Sequence, residues 1–181
     1  MEQRLQEILL DGEEVRWTGR PIPFRLLNCP EHRSIFLTWV ISAFLLFCAL
    51  FFLASHPQRG MDWLIVLVVA AFLPGMVSIR PLLDKLCLEK NTLYAITNLR
   101  VIALVHDDLM YIPLHHGMKV AVEQSDQDCG NLCFEDAVGR DQKKSRSHAV
   151  LGIRAGGQES DILGLLFYHI RHPETLLPYF A

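Results

Sequence analysis

The sequence predicts an α+β membrane protein in which a two-helix transmembrane hairpin precedes an antiparallel β-barrel or sandwich closed by a C-terminal helix. Three observations carry this expectation. Two uncharged apolar runs lie close together in the first half of the 181-residue chain. Beyond Asn91 the apolar period changes from helical to alternating. The alternating segments are short, recur at spacings of about ten residues and are separated by turn residues.

Composition narrows the class. Apolar residues make up 51% of the chain, mean hydropathy is +0.23 and the formal charge is -3. A disordered chain and a nucleic-acid-binding surface are both excluded by that balance, so no nucleic-acid partner is expected. The five cysteines, Cys29, Cys48, Cys87, Cys129 and Cys133, are odd in number and irregular in spacing, and Cys48 lies within an apolar run. They do not fit a secreted disulfide scaffold.

Residues 1–34 form an N-terminal segment before the first run. From Ile35 to Ser55 no charge occurs for 21 positions, enough helix to cross about 30 Å of hydrocarbon. His56, Pro57 and Gly60 break the run, and Trp63 to Ile79 add 17 uncharged residues. Residues 35–80 are thus expected to be a transmembrane hairpin. A soluble buried hairpin fits less well, because neither run keeps a polar stripe, and a signal peptide is not followed at once by a second span. Arg20, Arg25 and Arg33 precede the spans, Arg80, Lys85 and Lys90 follow them, and Arg59 lies between. That asymmetry places both termini in the cytoplasm. Residues 81–90 read as a juxtamembrane helical linker with Leu82, Leu83, Leu86 and Cys87 on one face, and residues 91–181 as a cytoplasmic domain.

In that domain, Tyr94 to Thr97 and Val101 to Val105 are the first two expected strands, with Asn98 supplying a turn or left-handed conformation between them. Met118, Val120 and Val122 alternate against Lys119, Ala121 and Glu123. The stretch "DCGNLCF" reads as a hairpin with Gly130-Asn131 at its tip, "HAVLGIR" as a further strand and "GLLFYHI" as the last. Pro173 and Glu174 then open a short amphipathic helix through Leu176, Leu177 and Phe180.

Three groups of residues resemble the bacterial pleckstrin-homology-like (PH) domain membrane proteins. Leu9, Gly12, Glu13, Trp17, Gly19 and Pro21 are similar to that family's opening pattern. Tyr94, Ile96, Thr97, Asn98, Arg100, Val101 and Ile102 are similar to its hairpin, and Phe167, Ile170 and Pro173 to its close. One departure is His172, where the family has Asp, which weakens the N-cap of the last helix unless the imidazole accepts a backbone hydrogen bond. The resemblance implies a PH-like fold after the hairpin and a multi-pass protein of the bacterial inner membrane.

A fold is not a reaction, and the candidate sites are few. His115, His116, Cys129, Cys133 and His148 are the available metal ligands, but adjacent histidines on an extended segment point to opposite faces; no metal and no cofactor is expected. No nucleophile elbow or phosphate loop is present, so no enzyme is expected. Lys143, Lys144 and Arg146 form the densest basic cluster and are the lipid-binding candidates, with Asp136 and Asp141 offsetting them in the alternative of a solvated loop. Trp17 is either an interfacial anchor or packs on the domain. The function expected is non-enzymatic: a PH-like domain that mediates protein, lipid-headgroup or self-association at the membrane. The alternative is an accessory subunit of a transport or stress-response complex acting through its hairpin.

Overall fold

The change of period after Asn91 takes effect at once: in the computed structural model helix α3 (Gly60–Asn91) passes without a loop into strand β2 (Thr92–Thr97). The structure describes residues 1–25, 32–55, 60–124, 128–141, 144–154 and 162–180. The chain divides into two compact units, Met1–Phe24 with Asp84–Ala181, and Arg25–Leu83.

The first unit is built on two four-stranded antiparallel sheets. In the first sheet the order is β1 (Val15–Gly19), β2, β3 (Arg100–Val105) and β4 (Asp108–Pro113). The second runs β5 (Val120–Gln124), β6 (Cys129–Glu135), β8 (Ile162–Arg171) and β7 (Ile153–Arg154). Register follows the alternation. Tyr94, Ile96, Val101, Ala103, Met110 and Ile112 point inward to meet Leu132, Phe134, Leu165 and Phe167 of the second sheet. The outer face of β2 and β3 carries Leu93, Ala95, Ile102 and Leu104, covered by Leu5 of α1 (Glu2–Ile8). With both faces covered, every residue of β2 and β3 is buried, which explains why "RVIALV" reads as a continuous apolar run.

Several expectations are corrected here. "DCGNLCF" is not a hairpin: Cys129 to Glu135 form the single strand β6, which pairs with β5 and β8. "HAVLGIR" is not one strand but the end of helix α4 (Ser145–Leu151), a left-handed Gly152, and the two-residue β7. The C-terminal helix is a 3-10 helix (Pro173–Phe180) containing Pro178. Its entry at His172 is left-handed at φ 47°; there the imidazole Nδ1 faces Glu174 at 3.2 Å, while the His172 carbonyl accepts the Thr175 N–H and hydroxyl.

The second unit holds α2 (His32–Ser55) and the greater part of α3, with Trp39 Nε1 donating to Ser78 Oγ at 2.9 Å. Among the described residues no helix is long and apolar enough to cross a membrane. This overturns the expected transmembrane hairpin of residues 35–80, the multi-pass inner-membrane placement and the orientation drawn from the arginines; Arg59 lies outside the described residues. The 17 uncharged residues from Trp63 to Ile79 span only about 26 Å as helix, short of the hydrocarbon thickness. They are also not a separate element, because α3 continues through Arg80, Asp84, Lys85 and Glu89 to Asn91.

Candidate functional site

The residues that the sequence singles out on either side of the apolar runs meet in one buried cluster. Gly12, at φ 79°, adopts a conformation open to glycine, and the chain turns there to bring the Glu13 carboxylate under the β2–β3 return. Arg100 donates to it through two nitrogens, Nε to Oε1 and Nη2 to Oε2, each at 2.9 Å, the bidentate fork that only arginine presents. The same Nη2 donates to the Ile8 carbonyl at 2.8 Å. Thr97 Oγ1 donates to Glu13 Oε1 at 2.7 Å and accepts the Arg100 N–H, while Leu10 N–H donates to Oε2. The two side chains are 8% and 0% exposed, so neither reaches solvent as a ligand for a phosphate.

Burial pushes the Glu13 carboxyl upward, but the hydrogen bonds from Arg100, Leu10 and Thr97 and the arginine charge outweigh it and hold the group below its ordinary 4.5. A carboxylate lowered by folding contributes stability above its ordinary value and loses it as pH falls through the folded value. Acid titration of the folded chain is therefore expected to show a loss of stability beginning near pH 4.5. Asp107, lowered by Arg4, adds in the same direction. The Glu13 share is checked by comparing denaturant midpoints against pH with those of Glu13→Gln, whose curve should be flatter below pH 4.5.

Asn98 acts through its side chain. Of the two conformations expected at Asn98, the turn is the one adopted: Asn98 and Leu99 form the return between β2 and β3, and the left-handed non-glycine residues among those described are His106, Glu135, His169 and His172. Its Oδ1 accepts the Glu14 N–H at 2.9 Å and its Nδ2 donates to the Gly12 carbonyl at 3.2 Å, tying the hairpin tip to the chain that carries Glu13. Asn98→Ala is expected to cost about 1–2 kcal/mol in thermal or urea unfolding.

Trp17 packs on the domain, its indole stacked on Phe167 at 6.0 Å. Gly19 is required beneath it: a Cβ there would lie 2.3 Å from Trp17 Cη2. Pro21 is buried, and the segment continues to Phe24, which sets its ring edge-on to Tyr168 at 5.1 Å. Tyr94 stacks on the other side of the core against Phe167 at 4.4 Å, and its hydroxyl accepts the Tyr168 N–H; burial raises its pKa.

The remaining candidates do not converge. Lys143 lies outside the described residues, Lys144 is exposed just before α4, and Arg146 is buried within it at 4% exposure. Cys133 is buried between Ala121 and Leu166, and burial, with Glu123 adding, pushes its thiol up to about 12. His148 sits on α4, while His115 lies 3.2 Å from Glu135. Among the described residues no three histidine, cysteine or acidic side chains group as a metal site would require.

Three elements are not signalled in the sequence as read above: α1 and the strands β1 and β4. Arg4 donates to Asp107 and to the carbonyls of His106 and Asp107, and Arg20 pairs with Glu2 at 3.1 Å, which pins the helix over the first sheet. The spacing of Met1, Leu5 and Ile8 is the available signal. Beside the covered strip, β4 leaves Leu109 and Tyr111 37% and 46% exposed, and Leu99 at the hairpin tip is 44% exposed. The Arg100 guanidinium lies 4.9 Å from the Tyr111 ring centroid.

Comparison with family models, curated proteins and solved structures finds no match to this chain. The resemblance to bacterial PH-like membrane proteins is accordingly withdrawn, along with the fold assignment that rested on it. Its motifs are short, and each has a local physical cause here: Gly12 and Gly19 for turning and close approach, Glu13, Thr97 and Arg100 for one buried ion pair, Trp17 and Phe167 for one stack.

Proposed function

We propose that the chain is a non-enzymatic binding protein whose two-sheet unit takes a protein partner on the outer face of its first sheet. The observation that supports this reading is the exposed apolar set Leu99, Leu109 and Tyr111 beside the strip that α1 covers. Tyr111 is backed by Arg100, itself held by Glu13. An aromatic ring fixed from behind loses little freedom on contact, which is what an interface anchor needs. The charged residues of the Glu13–Arg100 cluster are buried and serve the fold.

The test is an inventory of cross-linked neighbours for the full chain, compared with Tyr111→Ala and Leu109→Ser, and with Leu163→Ser on β8 as an exposed control. Loss of the same neighbour from both β4 variants, retained in the control, supports the reading. Identical inventories from all four proteins refute it. Loss of anionic-vesicle binding in place of a protein neighbour would assign the face to lipid headgroups.

A further inference from the structure

Helix α3 carries a second surface, independent of β4. Ile65, Phe72 and Ile79 recur at intervals of seven residues, and Val68, Gly75 and Leu82 each follow by three. This is the alternation of a and d positions in a coiled-coil seam. All five side chains are open: Ile65 64%, Val68 61%, Phe72 63%, Ile79 49% and Leu82 49% exposed, with Met76 and Leu83 at 52% and 56% beside them. None of the seam positions is charged. Arg80 is exposed but outside the seam, and Ser78, also outside it, already accepts the Trp39 indole N–H.

Gly75, at the centre, is the second observation. A glycine inside a helix costs about 1 kcal/mol relative to alanine, and a Cβ built at Gly75 meets nothing within 4 Å. Among the described residues none fills the space beside Gly75, which leaves room there for the close approach of another helix. The open parts of the seven side chains amount to on the order of 500 Å² per copy, so two copies bury about 1,000 Å², the lower bound for a specific interface. A seam that is apolar throughout holds no charge to select a different sequence, and it is complementary to itself under two-fold symmetry.

We propose that α3 pairs with α3 of a second copy through this seam, the two helices approaching most closely at Gly75. The full chain, followed as detergent is lowered to the least that keeps it dispersed, is expected to reach the mass of a dimer by light scattering. Gly75→Leu and Phe72→Lys should each weaken the dimer by about tenfold or more, while Arg80→Gln leaves it unchanged. A cysteine scan guards against variants that misfold: Gly75→Cys should form a disulfide-linked dimer on mild oxidation and Arg80→Cys should not. A monomeric wild-type chain overturns the proposal, as does a dimer insensitive to both seam variants or cross-linking equally at both cysteines. A monomer that floats with phosphatidylcholine vesicles would assign the seam to lipid and overturn it as well.

Discussion

Glu13→Ala is expected to destabilise the two-sheet unit by about 3–5 kcal/mol, because it strands a buried guanidinium without its counter-charge. The Arg100 side chain is 8% exposed, and its Nε and Nη2 donate to Glu13 and to the Ile8 carbonyl. The same change removes the acceptor of Leu10 N–H and Thr97 Oγ1, each left to find water at a site with little of it. Arg100→Lys keeps the charge and loses the fork, so its effect should be smaller but still measurable. The paired variant Glu13→Met with Arg100→Met should recover much of the loss, since replacing both members of a buried pair is far cheaper than breaking it. Equilibrium urea unfolding of the wild type and these three variants checks that order of stabilities. A Glu13→Ala midpoint equal to wild type would show that the pair sits in water and contributes as little as a surface bridge.

Phe167→Ala should cost a comparable amount, about 3–5 kcal/mol, through the cavity it leaves. The ring is fully buried and carries three aromatic neighbours: Tyr94 stacked at 4.4 Å, Trp17 stacked at 6.0 Å and Phe134 edge-on at 5.0 Å. These join β8 to β2, β1 and β6, so truncation loosens both sheets together. Phe167→Leu, which keeps more of the volume, should lose less than half as much. The measurement is the same unfolding curve, with tryptophan fluorescence in a Trp39→Phe, Trp63→Phe background, where Trp17 alone emits, as a second probe of the stack. An alanine variant within about 0.5 kcal/mol of wild type, the range of surface substitutions, would mean that the core closes over the gap.

An α+β chain with antiparallel sheets was legible in the sequence, because alternation is a property of neighbours along the chain. Tyr94, Ile96, Val101 and Ala103 declare their common face by spacing alone, and Asn98 marks the return between them. What the neighbours do not contain is the identity of a partner far away. Glu13 reads as one more surface acid, and Arg100 as a cation beside a turn, until folding sets them 2.9 Å apart across 87 positions of sequence. Arg146 reads as part of a basic loop, but the first turn of α4 buries it. Charge-free length likewise reads as a pair of membrane spans, although the second run belongs to a longer helix that continues into charged residues. By itself the sequence determined the change of period at Asn91 and the common inner face of β2 and β3 with the return between them, whereas β1, β4 and the single strand β6 took form only through pairing with other strands. The tertiary structure alone decided which polar groups are buried together, since a desolvated charge is tolerable only where long-range closure delivers its counter-charge.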